Sequence, residues 1–166
     1  AAKACLAAAD LGVWMLNVHA LGGVDMMRAA RDAIEKTQSK KPLIIAVTIL
    51  TSHTQESVVQ IGLTGDIMEN VQRLATLAQT SGLNGVVCSA QEASMLRNTL
   101  KKPFILVTPG IRPAEGRADD QKRVMTPATA IAAGSDYLVV GRPITLAIDP
   151  QAVVAAINQE IIASLA

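Results

Sequence analysis

The sequence predicts an α/β fold built on a parallel sheet, and three observations predict it. Five short apolar runs alternate with stretches whose apolar residues recur at helical spacing, the rhythm of repeated β-α units. Runs such as LIIAV (43–47) and FILV (104–107) are apolar without alternation, as strands buried on both faces require. The chain of 166 residues is 50% hydrophobic with a mean hydropathy of +0.33, enough apolar material for the core of one domain. Parallel strands with right-handed crossovers leave two architectures, a doubly wound sheet or part of a (β/α)8 barrel.

Residues 1–10 are Ala-rich and helix-like, with neither an initiator Met nor a cap, so the chain reads as starting inside an element. After Gly12, 13–19 (VWMLNVH) reads as a buried strand. Gly22-Gly23 breaks the chain, and 24–37 puts Met27, Ala30 and Ile34 on one helical face. Pro42 introduces a second buried strand over 43–50, and a longer connection, 51–65, carries TSHTQES and Gly65. Helix 66–80 aligns Ile67, Val71, Leu74 and Ala78, and Gly82 stops it. A third strand (85–88) and a helix over 91–101 with Ala93, Leu96 and Leu100 follow, ended by Pro103. The fourth strand, 104–108, runs into Pro109-Gly110-Ile111-Arg112.

Segment 113–125 (PAEGRADDQKRVM) is the most polar of the chain. Its length and glycine content predict a loop that closes over ligand and is mobile without it. Thr126-Pro127 is an N-cap followed by Pro at the first helical position, opening helix 127–133, which Gly134 closes. The fifth strand, 137–140, leads at once into Gly141-Arg142-Pro143. A last helix over 150–164 is expected to turn Val154, Ile157 and Ile161 inward.

Composition excludes several classes. With 15 Lys+Arg against 14 Asp+Glu the formal charge is +1, which leaves no electrostatic footprint for nucleic acid. Aromatics are 2% (Trp14, Phe104, Tyr137), too few for base-stacking platforms. No apolar run reaches the ~18 residues of a membrane span, and the start is not a signal peptide. Cys5 and Cys88 make neither a disulfide framework nor a zinc site, so a reduced, cytoplasmic protein is expected.

In parallel α/β proteins chemistry gathers at the carboxyl ends of the strands. Here those ends carry His19, Thr51-Ser52-His53, Ser89, Pro109 to Arg112, and Gly141-Arg142. The first β-α connection lacks GxGxxG, and no P-loop is present. The last two strands each end in a glycine closely followed by arginine, Gly110-Ile-Arg112 and Gly141-Arg142. Glycine lets an anion approach backbone N–H groups, and arginine offers a planar fork matched to phosphate. One such motif reads equally as a strand stop beside a solvated arginine; two in consecutive units favour a phosphate site. His53 reads as a solvated loop residue and Cys88 as packing. Asp119-Asp120 sits among Arg117 and Lys122-Arg123 as solvated charge, and Met26, Met27 and Met125 fill gaps.

Taken together, VTPGIRP (107–113), DDQKR (119–123), VVGRPIT (139–145), NVHALGG (17–23), AVTILTS (46–52) and GVVCSAQEA (85–93) closely resemble bacterial orotidine 5′-phosphate decarboxylase along essentially the whole chain. The resemblance implies a (β/α)8 TIM barrel and a carboxy-lyase of de novo pyrimidine biosynthesis. Such an enzyme turns orotidine 5′-monophosphate into uridine 5′-monophosphate without cofactor or metal. It implies a homodimer whose sites borrow residues across the interface, with no nucleic-acid or membrane partner. By position, Arg142 and Gln121 would hold the phosphate with help from the Gly141 and Arg142 backbone. Thr51 would contact the pyrimidine and Pro109 would line the pocket. His19 and Arg112 are two further candidates; His19 reads either as an acid/base group or as a hydrogen-bonding residue of the barrel mouth.

One departure is large. The family's catalytic array, a lysine and then Asp-x-Lys-x-x-Asp running into Ile-Pro-Asn-Thr, has no counterpart here, so no catalytic residue is assigned to this chain. Residues 1–166 are therefore expected to be a single partial-barrel domain supplying strands 4–8, with three N-terminal β/α units missing. A typical barrel of about 250 residues exceeds 166 by roughly 84, close to three such units. Alone, such a piece is expected to be inactive and to expose two apolar sheet edges that invite aggregation. The competing readings are another phosphate-binding barrel (a sugar-phosphate decarboxylase or epimerase) and a non-catalytic phosphoribosyl-binding module.

Overall fold

The structure is a computed structural model that describes residues 1–38, 40–113 and 125–165. Five strands, β1 (Met15–His19), β2 (Leu43–Val47), β3 (Gly85–Val87), β4 (Ile105–Pro109) and β5 (Tyr137–Val139), form one parallel sheet in the order β1-β2-β3-β4-β5. The helices are α1 (Ala2–Asp10), α2 (Gly23–Glu35), α3 (Gln55–Gln60), α4 (Ile67–Thr80), α5 (Ala90–Thr99), α6 (Pro127–Ala132), α7 (Arg142–Thr145) and α8 (Pro150–Leu165). Each strand pairs with its successor, so every crossover steps the same way. A doubly wound sheet reverses its order at a switch point; sequential order is that of consecutive units of a (β/α)8 barrel wall.

The register divides the sheet into two faces. Ile44, Ala46, Val86 and Leu106 share one of them, and they are sealed against Met27, Ala30 and Ile34 of α2, Val71, Leu74 and Ala78 of α4, and Ala93 and Leu96 of α5. The helical stripes read from the sequence are thus the core stripes. On the other face Ile45, Val47 and Val107 are buried, while Asn17 and His19 at one edge and Tyr137 and Val139 at the other are exposed. Laid flat, the outer strands of five would lie about 19 Å apart. Yet Trp14, next to β1, meets Tyr137 of β5 edge to face with ring centroids 5.0 Å apart. The sheet therefore curls strongly, as a barrel wall does.

Several expectations change. The first run, read as a buried strand, exposes Asn17 and His19 on one face, and β1 and β5 each pair on one side only among the described residues. The second strand stops at Val47 rather than continuing to residue 50: Thr48 donates both its N–H (3.1 Å) and its Oγ1 (2.9 Å) to the Val87 carbonyl, and the strand pairing goes no further. The 51–65 connection contains α3, started by a Thr54–Ser57 capping box. GRPIT forms the short helix α7, and Val154 of α8 is exposed while Ile157 is buried. The Thr126 cap with Pro127 stands as read, Thr126 Oγ1 accepting from the Thr129 N–H.

At the amino ends of the last two strands a polar latch ties α5 to the sheet. The Asp136 carboxylate accepts the Leu106 N–H (2.8 Å) and pairs with the Arg97 guanidinium. Arg97 also donates to the Gly134 (2.9 Å) and Phe104 carbonyls. In the adjoining strand Gly85 is required by contact: a Cβ there would collide with the Ile105 carbonyl.

Candidate functional site

The parallel register brings all five carboxyl ends to one rim, in chain order. His19 closes β1 and is exposed, beside Asn17 on the same face. Thr51 follows β2 and is buried (7% exposed). His53, read as solvated, is half-buried and bonded through Nδ1 to Ser57 Oγ (2.9 Å). That hydroxyl has one proton, and it already donates to the Thr54 carbonyl (2.9 Å).

The third and fourth exits are built together. Ser89 caps α5, its Oγ accepting from the Gln91 N–H (3.3 Å), while Glu92 reaches back to accept the Ser89 N–H (2.8 Å). Both residues are fully buried. Pro109 ends β4 half-buried, and Gly110 turns the chain at φ 78°, a left-handed conformation that glycine adopts without strain. Ile111 is buried against Ala90 and Ala130 and bridges to Met125. The Arg112 N–H donates to the Met125 carbonyl (3.0 Å), so the two described flanks of 114–124 are joined. Arg112 is 9% exposed, its Nη1 donating to the Ile111 carbonyl (3.0 Å). It is not a solvated loop arginine.

The fifth exit adjoins the fourth, since Pro109 pairs with Val139. Gly141 is exposed with φ −97°, and a Cβ there would meet no described atom within 4 Å. Packing among the described residues does not demand glycine there. Arg142 is half-buried as the first residue of α7.

Of the residues singled out from sequence, Pro109, Arg112, Gly141 and Arg142 thus stand on two neighbouring exits. Thr51 stands two strands away and His19 at the far edge. Gln121, Asp119-Asp120 and most of the expected closing loop lie outside the described residues. A cavity of about 420 Å³ lies at the opposite, amino end, lined by Leu43, Leu83, Phe104 and Lys101 among others. It is remote from the strand ends that carry the polar groups. No group of three or more His, Cys, Asp or Glu able to hold a metal occurs among the described residues. Sequence reasoning missed Glu92, although the spacing Ser89-x-x-Glu92 is a capping-box signal.

Residues 1–157 match the sequence model of the family described as "Orotidine 5'-phosphate decarboxylase / HUMPS family". The chain belongs to that family. Among its relatives is an orotidine 5′-phosphate decarboxylase of Hydrogenovibrio crunogenus, 62% identical over 160 residues, covering 96% of this chain and 67% of the relative. Another, from Laribacter hongkongensis, is 61% identical over 157 residues, covering 95% of this chain and 64% of the relative. The crystal structure of orotidine 5′-phosphate decarboxylase from Lactobacillus acidophilus superposes with a TM-score of 0.83 at 38% identity, over 96% of this chain and 68% of that one. The chain thus spans about two thirds of the length of the relatives it matches. Its five-stranded parallel sheet is their α/β barrel fold over that span.

Proposed function

We propose that this chain supplies the phosphate- and pyrimidine-binding units of an orotidine 5′-phosphate decarboxylase, which turns orotidine 5′-monophosphate into uridine 5′-monophosphate in pyrimidine biosynthesis. The observation that carries the reading is the coincidence of family membership over 1–157 with two adjacent strand exits bearing Arg112 and Gly141-Arg142. Arg142 and Gln121 hold the phosphate, with the backbone N–H groups of Gly141 and Arg142 assisting. Thr51 contacts the pyrimidine, Pro109 lines the pocket, and Arg112 and His19 are secondary contacts of the rim. Relatives 58–62% identical carry the decarboxylase name, which favours this reading over a sugar-phosphate enzyme or a non-catalytic module.

In the reaction the bond from the pyrimidine C6 to its carboxylate breaks, carbon dioxide leaves, and the electron pair left on C6 takes up a proton. The residues assigned here act elsewhere on the substrate. Binding energy realised at the phosphate can be used at the reacting centre, because it holds the pyrimidine where charge development is favoured. The lysine and Asp-x-Lys-x-x-Asp array that would act at C6 is not in this sequence, so residues 1–166 by themselves are proposed to be inactive. The five units form one partial-barrel domain, and the enzyme works without cofactor or metal, in the cytoplasm, as a homodimer. Among the described residues no helix is long and apolar enough to cross a membrane.

Titration of the full-length protein with uridine 5′-monophosphate tests the assignment. Arg142→Ala is expected to weaken binding about 30-fold, the equivalent of about 2 kcal/mol for one charge-assisted contact. Unchanged affinity would overturn it.

A further inference from the structure

We propose that Glu92 is a positioning residue for the strand-end loop that carries Arg112, acting through the capped first turn of α5; the inference rests on the phosphate-binding reading above. Among the described residues there are three capping boxes, and this one differs from the others in burial. Glu69 of α4 is exposed and α3 uses an uncharged serine, whereas Glu92 and Ser89 are both fully buried. Burying a carboxylate is costly unless its hydrogen bonds are made. A solvent-facing glutamate would cap the helix equally well. A buried one is therefore tied to what surrounds it.

The turn that Glu92 closes packs on the root of the loop. Ala90, the first residue of α5, packs on Ile111 and Ala130. Ile111 bridges to Met125, the Arg112 N–H bonds to the Met125 carbonyl, and the Arg112 guanidinium rests on the Ile111 carbonyl (3.0 Å). Close-packed side chains transmit displacement rather than absorb it. Releasing the Ser89 N–H from Glu92 frees the first turn of α5, and the shift passes through Ala90 and Ile111 to the guanidinium and to both flanks of 114–124. The carboxylate also stands in the first turn of α5, where it complements the positive end of the helix dipole.

The test compares uridine 5′-monophosphate with uridine, which lacks the phosphate, on the full-length protein. Glu92→Ala is expected to weaken the nucleotide about tenfold (~1.4 kcal/mol) and to leave uridine within about twofold. Glu92→Gln keeps an acceptor in the same place and is expected to restore the nucleotide to within about threefold of wild type. Equal loss for both ligands would mean a general folding role and overturn the proposal. So would unchanged nucleotide affinity, or a glutamine variant no better than alanine. Should Glu92→Ala fail to fold, Glu92→Asp, whose shorter side chain withdraws the carboxylate from the Ser89 N–H, gives the same comparison. Wild-type protein that does not bind the nucleotide would sink the phosphate reading instead, and this inference with it.

Discussion

Asp136→Ala removes the acceptor at the centre of the latch beneath β4 and β5. The Asp136 side chain is 19% exposed and its partner Arg97 15%, so the pair is largely withdrawn from water. The substitution strands the Leu106 N–H, whose residue is fully buried, at about 1–3 kcal/mol for an unsatisfied donor. It also deprives Arg97 of its counter-charge, although the Gly134 and Phe104 carbonyls remain to it. Lys102, 77% exposed at 3.6 Å, adds almost nothing. Breaking buried pairs outright costs about 3–5 kcal/mol; with the arginine still held, about 3 kcal/mol is expected. Asp136→Asn keeps an acceptor for the Leu106 N–H and should cost roughly half as much, about 1.5 kcal/mol. Urea unfolding of the full-length protein reads both, and a cycle with Arg97→Ala should show strong non-additivity. A loss below about 1 kcal/mol for the alanine variant, or an asparagine as harmful as alanine, would refute the latch.

Two further outcomes follow from the core. Leu96→Ala empties a fully buried position between α5 and the sheet and is expected to cost about 3 kcal/mol, read as a lower urea midpoint at unchanged slope. Cys5 lies on the buried face of α1, and burial raises its thiol above the ordinary 9.0. The folded state therefore favours the protonated thiol, so its contribution to stability is complete below pH 9.0 and is lost as pH rises through the higher folded value. A Cys5→Ala variant should flatten that alkaline decline in a pH series of unfolding midpoints; an identical decline would contradict it.

Much of the candidate site was legible because strand exits are local events. A run such as FILV followed by Pro109-Gly110 marks its own end, and the paired glycine–arginine motifs on successive exits could be counted in sequence. What could not be read was burial. Arg112 read equally as a phosphate contact and as a solvated loop arginine, and only the docking of Ile111 on Ala90 and Ala130 shows it folded inward. Glu92 was overlooked for the same reason, since a capping box reads alike whether its glutamate faces water or protein. His53 gained a side-chain partner only once α3 placed Ser57 beside it.

By itself the sequence determined the β-α rhythm, the core stripes of α2, α4 and α5, the cap at Thr126, and the family resemblance. These are periodicities and spacings between near neighbours, and local sterics and hydrogen bonding suffice to impose them. Only the tertiary structure decided that the strands run in sequential order, that β1 and β5 are edges, and that the sheet curls until Trp14 reaches Tyr137. Pairing and curvature depend on contacts between residues as distant as Leu106 and Asp136, thirty apart in the chain, and no local pattern records which partner a strand will find.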